Sequence, residues 1–358
     1  MSDKLQNIPN PSSIIGSIFG TAVGDALGLP YEALSPGRAV KLLGKANKYK
    51  FLFGFGMISD DTEHTAMVAQ SLIIANQDVK AFQKEFSWQL RLWLISLPAG
   101  VGWATLRAII KLWLGFNPTN SGVFSAGNAP AMRAAILGVA IKDLEKLKAL
   151  VKASAQITHK DPKAEYGALT VAFAARIAAT KIDISAQDFF QQLKPLLVSG
   201  GEELINLIEQ VVKSVEKQEL TIDFAKHLGL AKGVSGYVYH TVPVAIHAWL
   251  SNQKDFSKAV TEIIECGGDA DSTAAIVGGI VGARVGKEGI PKDLLENLFE
   301  WPRSKKWLEN LAIELSNSLN SNQPRKALRL PIYQVLLRNV FFIIVILLHG
   351  LRRLFPPY

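Results

Sequence analysis

The chain has 358 residues, 49% hydrophobic, 20% charged and 9% aromatic, with a formal net charge of +8. This is ordinary globular composition with enough apolar material for a large core, which excludes disordered, collagen-like and disulfide-stapled chains. The single cysteine, Cys266, excludes an intramolecular disulfide and a thiolate zinc site, and makes a reducing compartment the default.

The opening stretch MSDKLQNIPNPSSIIG has no basic segment followed by a long apolar one, so a secretory signal is not expected and a cytoplasmic location is. Ile14–Gly28 then begins a series of helices rich in Gly and Ala, with Ala129–Ala140 and Thr273–Gly286 as further members. In Lys80–Leu97 the residues Phe82, Phe86, Leu90, Trp93 and Leu97 recur at three- or four-residue steps, the mark of one apolar helical face. Asp143–Ile157 has the same pattern. Ser185 with Asp188 three positions on reads as a helix start, and Pro291 suits a first helical turn. Two-residue alternation is nearly absent, and so is any fixed-period repeat. The expectation is a compact all-α domain of several packed helices over residues 1–315, with little or no sheet.

Beyond it the composition changes. Residues 316–330 are polar and then basic and read as a linker. Residues 331–358 form an apolar tail. Six basic residues (Arg325, Lys326, Arg329, Arg338, Arg352, Arg353) and no acid lie between Pro324 and Tyr358, so most of the net charge belongs to this end. The body has no basic stripe and no nucleic-acid motif, and no nucleic-acid partner is expected. The uninterrupted apolar run Val340–Leu348 is too short to span about 30 Å of hydrocarbon, and extending it back to Ile332 takes in Arg338 and Asn339. Two readings follow: an anchor dipping into or lying on a membrane, and a terminal helix docked on the body or on another subunit. The first is favoured, because a helix apolar nearly all round after a flexible linker has little protein to hand.

Chemistry concentrates in five segments. Ser59-Asp60-Asp61-Thr62 and Asp269-Ala270-Asp271-Ser272 each set paired carboxylates and a hydroxyl at a helix start. N-capping accounts for one acid in each cluster and leaves the second unexplained. Brought together, these acids repel one another unless a cation lies between them, and hard oxygen donors of this kind suit Mg²⁺ or Mn²⁺. Glu32 follows a Gly- and Pro-containing turn that leaves it on a loop. Ser125-Ala-Gly-Asn-Ala129 enters a helix and offers backbone N–H groups to a phosphate. Thr158-His159 sets an imidazole on a loop. His64 reads as cover on its helix, Arg133 as an ion-pair donor within the fold, and Tyr237 equally as packing or as a nucleotide contact. Cys266 needs no role beyond packing.

In order, GDALGLPYE, SDDT, GNAPAMR, THKDP and GGDADSTAAIVGGIVGA resemble the motif series of the ADP-ribosylglycohydrolase family over roughly Ser13–Gly286. The resemblance implies an orthogonal all-α fold with a two-metal centre in a cleft, acting on an ADP-ribosylated protein or another ADP-ribose derivative. It implies metal ligands at Ser59, Asp60, Asp61, Asp269, Asp271 and Ser272, with two Mg²⁺ or Mn²⁺ ions. Glu32 takes the acid/base or water-positioning role, Ser125, Gly127, Asn128 and Ala129 the phosphate loop, and His159 a place near the ligand. This chain departs from the family pattern in Ala270, in Ala129 for a second loop glycine, and in Glu63 and His64 after the acidic pair. The implied activity is metal-dependent hydrolysis of the bond between ADP-ribose and its acceptor. Two rivals are a non-catalytic ADP-ribose or nucleotide binder on the same fold, tethered to a membrane, and a structural membrane adaptor, which leaves the paired acids unexplained.

Overall fold

A computed structural model describes residues 10–197 and 200–355. Residues 1–9, the first part of the stretch in which no signal was read, lie outside the described residues, as do the last three of the tail. The fold is all-α: among the described residues no strand occurs, only isolated bridges between loops.

Two antiparallel helices, Pro11–Gly28 and Ala270–Val285, form the centre. Gly16, Gly20, Gly24 and Gly28 repeat every four residues and so share one face. They meet Gly282, Gly278, Ala274 and Ala270 in turn, each glycine lying directly against a backbone carbonyl of the facing helix. With no Cβ between them the two backbones touch, and side chains pack only to the sides. Both helices are buried all round, which explains why neither shows the one-sided pattern of a surface helix. The first is long and apolar enough to cross a membrane, but it is 89% buried inside the protein and is a core element. Gly20→Ala should lower stability by about 1–3 kcal/mol despite alanine's better helix propensity, because the new methyl meets backbone that cannot rotate away. Thermal unfolding followed by circular dichroism checks this; an unchanged Tm would mean the two helices are free to separate.

The other elements follow the sequence pattern with local differences. Val79–Ile95 buries Phe82, Phe86, Leu90 and Trp93, while Leu97 falls past its end in a left-handed conformation (φ 54°) and is exposed. Asp143 and Ser185 cap their helices through Lys146 N (2.7 Å) and Asp188 N (2.9 Å). Pro291 precedes the short helix Lys292–Glu296. The stretch expected as one helix from Ala129 is two, Ala129–Met132 and Ala135–Ala140, with Arg133 at the break.

The helix Lys305–Ser321 runs six residues into the polar stretch after 315. The connection that follows is pinned to the body: Arg325 N donates to Ile73 O (3.0 Å) and Gln70 Nε2 to Leu328 O (2.7 Å). The terminal helix Ile332–Arg352 then lies along the body. Arg338 and Asn339, which interrupt its apolar run, point inward and are buried. Arg338 donates to both oxygens of Glu300 (2.8 and 2.7 Å) and to Ile58 O (2.5 Å); Asn339 Nδ2 donates to Ser96 O (2.8 Å). The protein to hand for this helix is therefore the body itself, on one face.

Candidate active site

The site forms at one end of the central helix pair. Where Pro11–Gly28 ends, the chain makes a single turn over Leu29–Tyr31 and delivers Glu32. Where Ala270–Val285 begins, Asp269 stands at its N-cap position and Asp271 in its first turn. Short backbone bonds lock the two ends together, Ala33 N donating to Gly268 O (2.7 Å) and Gly268 N to Leu34 O (2.8 Å), while Asp269 N donates to Val234 O (2.7 Å) on a neighbouring loop. Gly267 and Gly268 have φ of 66° and 80°, and a side chain on Gly268 would overlap Val234, so this crossing requires glycine.

The third part is the N-terminus of the Asp60–Ala75 helix. Its cap comes from another helix. Asp25, buried in the last turns of Pro11–Gly28, accepts from Ser59 N (3.0 and 2.9 Å), Thr62 N (3.1 Å) and Thr62 Oγ1 (2.5 Å). Ser59 Oγ also accepts from Asp61 N at 3.4 Å. With the helix N–H groups served by Asp25 and Ser59, Asp60 and Asp61 are free for another task. Asp25 is a site-building residue that the sequence reading passed over. Its available signal was an acid inside an otherwise apolar, small-residue helix.

Asp61 Oδ2 accepts from Ser59 Oγ (3.1 Å) and Ser272 Oγ (3.2 Å), which ties the first acidic cluster to the second. Asp61 Oδ1 and Asp271 Oδ1 are buried and have no hydrogen-bond partner. Burial, followed by the neighbouring acids, raises the carboxyls of Asp60, Asp61 and Asp271 well above the usual range; burial also raises Asp25, to about 6. Glu32 keeps an exposed side at the mouth, yet its surroundings and Asp269 raise its carboxyl, opposed by Arg353. Among the described residues, no three His, Cys, Asp or Glu side chains already converge at metal-binding distance. The fit to a cation therefore rests on donor chemistry: hard oxygens, two of them orphaned, in a field of mutual repulsion that a divalent ion would relieve.

The loop Ser125–Ala129 walls the other side. Asn128 Nδ2 donates to Asp269 Oδ2 (2.6 Å) and to Thr241 Oγ1 (3.0 Å), orienting the carboxylate. The N–H groups expected to face a phosphate are partly engaged: Asn128 N donates to Gly236 O (2.9 Å) and Gly127 N to Ser125 Oγ (3.4 Å). His159 packs against Gly127, where a Cβ would approach Nε2 to 2.9 Å, and its Nδ1 lies 2.9 Å from Thr158 Oγ1. Burial and the Arg133 charge push its pKa down to about 3, so the ring is neutral at physiological pH. Tyr237 bridges to Gly127, and Lys163 Nζ donates to its hydroxyl at 2.9 Å.

Four neighbours resolve as scaffold. His64 is fully buried between Phe86 and Trp93. The described partners of Arg133 are uncharged, which corrects the ion-pair expectation: Ser154 O (2.9 Å), Thr158 Oγ1 (2.8 Å) and His64 Nδ1 (3.0 Å). It ties the His159 loop to the Asp60–Ala75 helix. Glu63 lies inside the protein against Arg303 (2.6 Å) and Trp93 Nε1 (2.6 Å). Cys266 is buried, and its sulfur donates to Glu262 O at 3.4 Å.

Comparison with known proteins gives the chain a family and a fold. The family model described as ADP-ribosylglycohydrolase matches residues 7–325. An uncharacterized protein of Archaeoglobus fulgidus is 30% identical, over 83% of this chain and 94% of its own length. The ADP-ribosyl-[dinitrogen reductase] glycohydrolase of Rhodospirillum rubrum is 29% identical, over 79% of this chain and 89% of its own. A solved structure titled ADP-ribosylglycohydrolase-related protein complex superposes with a TM-score of 0.64, covering 86% of this chain and 98% of that one at 24% identity, and so shares the fold. With a family model matched across nearly the whole body, the chain belongs to the ADP-ribosylglycohydrolase family.

Proposed function

We propose that this protein hydrolyses the glycosidic bond between ADP-ribose and an acceptor, a protein side chain or a small molecule, with Glu32 as acid/base and two Mg²⁺ or Mn²⁺ ions held by Ser59, Asp60, Asp61, Asp269, Asp271 and Ser272. Family membership supports the hydrolase of ADP-ribose linkages. The observation that carries the finer reading is the meeting of Glu32 with both acidic clusters at one end of the helix pair, with orphaned oxygens on Asp61 and Asp271.

When bound, the ions would orient the ribose hydroxyls and make a bound water more acidic. The protein's own groups do the rest. Asn128 fixes the direction of Asp269, and Ser272 fixes that of Asp61. The surrounding carboxylates favour positive charge developing at the anomeric carbon as the bond to the acceptor breaks. Glu32, with its pKa raised, gives a proton to the leaving atom or takes one from water. Ser125, Gly127, Asn128, Ala129 and neutral His159 line the substrate side.

Glu32→Gln should lower turnover about 10²–10⁴-fold while leaving ADP-ribose binding nearly intact. The assay is release of ADP-ribose from peptides modified at arginine, serine or other linkages, with Mg²⁺, with Mn²⁺ and with chelator. Tight ADP-ribose binding without release from any linkage would replace the enzyme with a binding protein.

A further inference from the structure

We propose that the outward face of the terminal helix is a docking surface for an anionic lipid bilayer, on which the helix lies flat while its inner face stays on the body. The inference is independent of the proposed reaction, and the helix lies beyond the stretch that matches the family, residues 7–325.

The helix has two faces of opposite character. Inward, Arg338 and Asn339 are buried and hydrogen-bonded, and Phe342 packs with Phe51 and Met57. Outward, Leu337, Val340, Ile344, Leu347, Leu348 and Leu351 are each at least 45% exposed. The apolar surface continues beyond the helix. Phe341 meets Trp301 (5.3 Å), Trp301 meets Phe299 (5.8 Å) and Phe299 meets Phe55 (6.0 Å), while Phe53 stands fully exposed on the same loop as Phe55. Aromatic side chains of this kind settle at the boundary between headgroups and acyl chains.

Charge selects the occupant. No acid occurs between Pro324 and Tyr358. Beside the C-terminal end of the helix, Lys50, Phe53, Leu348 and Arg352 border a groove of about 600 Å³, and Arg38 and Lys41 border the neighbouring one. An apolar strip with cations at its end matches acyl chains beneath phosphate headgroups. Orientation follows from the inner face. The helix is long enough to span, at 21 residues. Spanning would take Arg338 away from Glu300 and into hydrocarbon, leaving both charges unpaired. Lying flat keeps those bonds and gives about 30 Å of helix to the interface.

The test is flotation of the full-length chain with vesicles of phosphatidylcholine alone and of phosphatidylcholine with phosphatidylglycerol, at low and high salt. The intact protein should float with the anionic vesicles and largely detach in high salt. Ile344→Glu with Leu348→Glu should lower the partition coefficient at least about tenfold, and Arg352→Ala about fivefold on anionic vesicles only. Circular dichroism and ADP-ribose binding should be unchanged in both, since these side chains are exposed and none belongs to the candidate site. Failure of the intact protein to float overturns the proposal, as does flotation that the paired glutamates do not weaken. A dimer in light scattering that the same glutamates dissociate, with no vesicle binding, would assign the face to a second copy of the chain.

Discussion

Asp271→Ala should abolish the thermal stabilisation that Mn²⁺ or Mg²⁺ gives the intact protein, and should lower ADP-ribose release by about 10³-fold or more. The rate estimate takes several kcal/mol of transition-state stabilisation at 1.36 kcal/mol per factor of ten. The thermal readout is independent of catalysis. An ion at 100 times its Kd stabilises the folded state by about 2.7 kcal/mol, and the variant has one carboxylate fewer to hold it. Without metal the expected sign reverses. Asp271 is buried among Glu32, Asp269, Asp61 and Asp25, which push its carboxyl up, so removing it relieves repulsion and the metal-free variant should melt no lower than the metal-free parent. A variant that keeps both its metal-induced Tm shift and its activity would end the two-cluster assignment.

The second large effect is expected far from the reacting atoms. Arg338→Ala should destabilise the fold by about 3–5 kcal/mol, because it strands Glu300, fully enclosed, without its cation. The pair also clamps the two peptide groups that flank Ile58: Ile58 N donates to Glu300 Oε2 (3.3 Å) and Ile58 O accepts from Arg338 (2.5 Å), directly before Ser59. Loosening them should lower metal affinity about 10–100-fold, the range for groups that orient ligands without touching the ion. Arg338→Met combined with Glu300→Leu removes both charges and should recover much of the stability but not the metal affinity, since Ile58 regains no polar partner. Denaturant melts and metal titration separate the two effects. Arg338→Ala with parental stability would mean the terminal helix is not seated on the body.

What could be read from the sequence depended on whether a residue's role is local. Phe82, Phe86, Leu90 and Trp93 mark their face because a helix with one buried side repeats every three to four residues. The acidic pairs stood out because capping uses one acid, and two motifs carried two. Asp25 was hidden for the opposite reason: its partners, Ser59 and Thr62, lie more than thirty residues away, and its own helix is buried on all sides, so no polar face pointed to it. Arg133 was read as an ion-pair donor; its hydrogen bonds go to a carbonyl, hydroxyls and an imidazole, which leave no charge pattern, and the acid that acts on it, Asp60, does so by charge alone. Arg338 and Asn339 were read as faults in an apolar run. They are its inward anchors, and their partners Glu300 and Ser96 lie in unrelated parts of the chain.

The contact between the first helix and Ala270–Val285 also bears on how the protein is made. Some 240 residues separate Gly28 from Ala270. At about 5–20 residues per second, a growing chain waits roughly 10–50 s between the two. Through that interval the first helix has its glycine groove open, in a segment hydrophobic enough to pass for a membrane span. Glu32, Asp60 and Asp61 are already synthesised, and Asp25 is there to cap the Asp60–Ala75 helix, yet Asp269, Asp271 and Ser272 are still missing. The end that carries the candidate site is thus closed by one of the last core helices to leave the ribosome, and a chaperone that shelters the first helix until then would be guarding the assembly of that site.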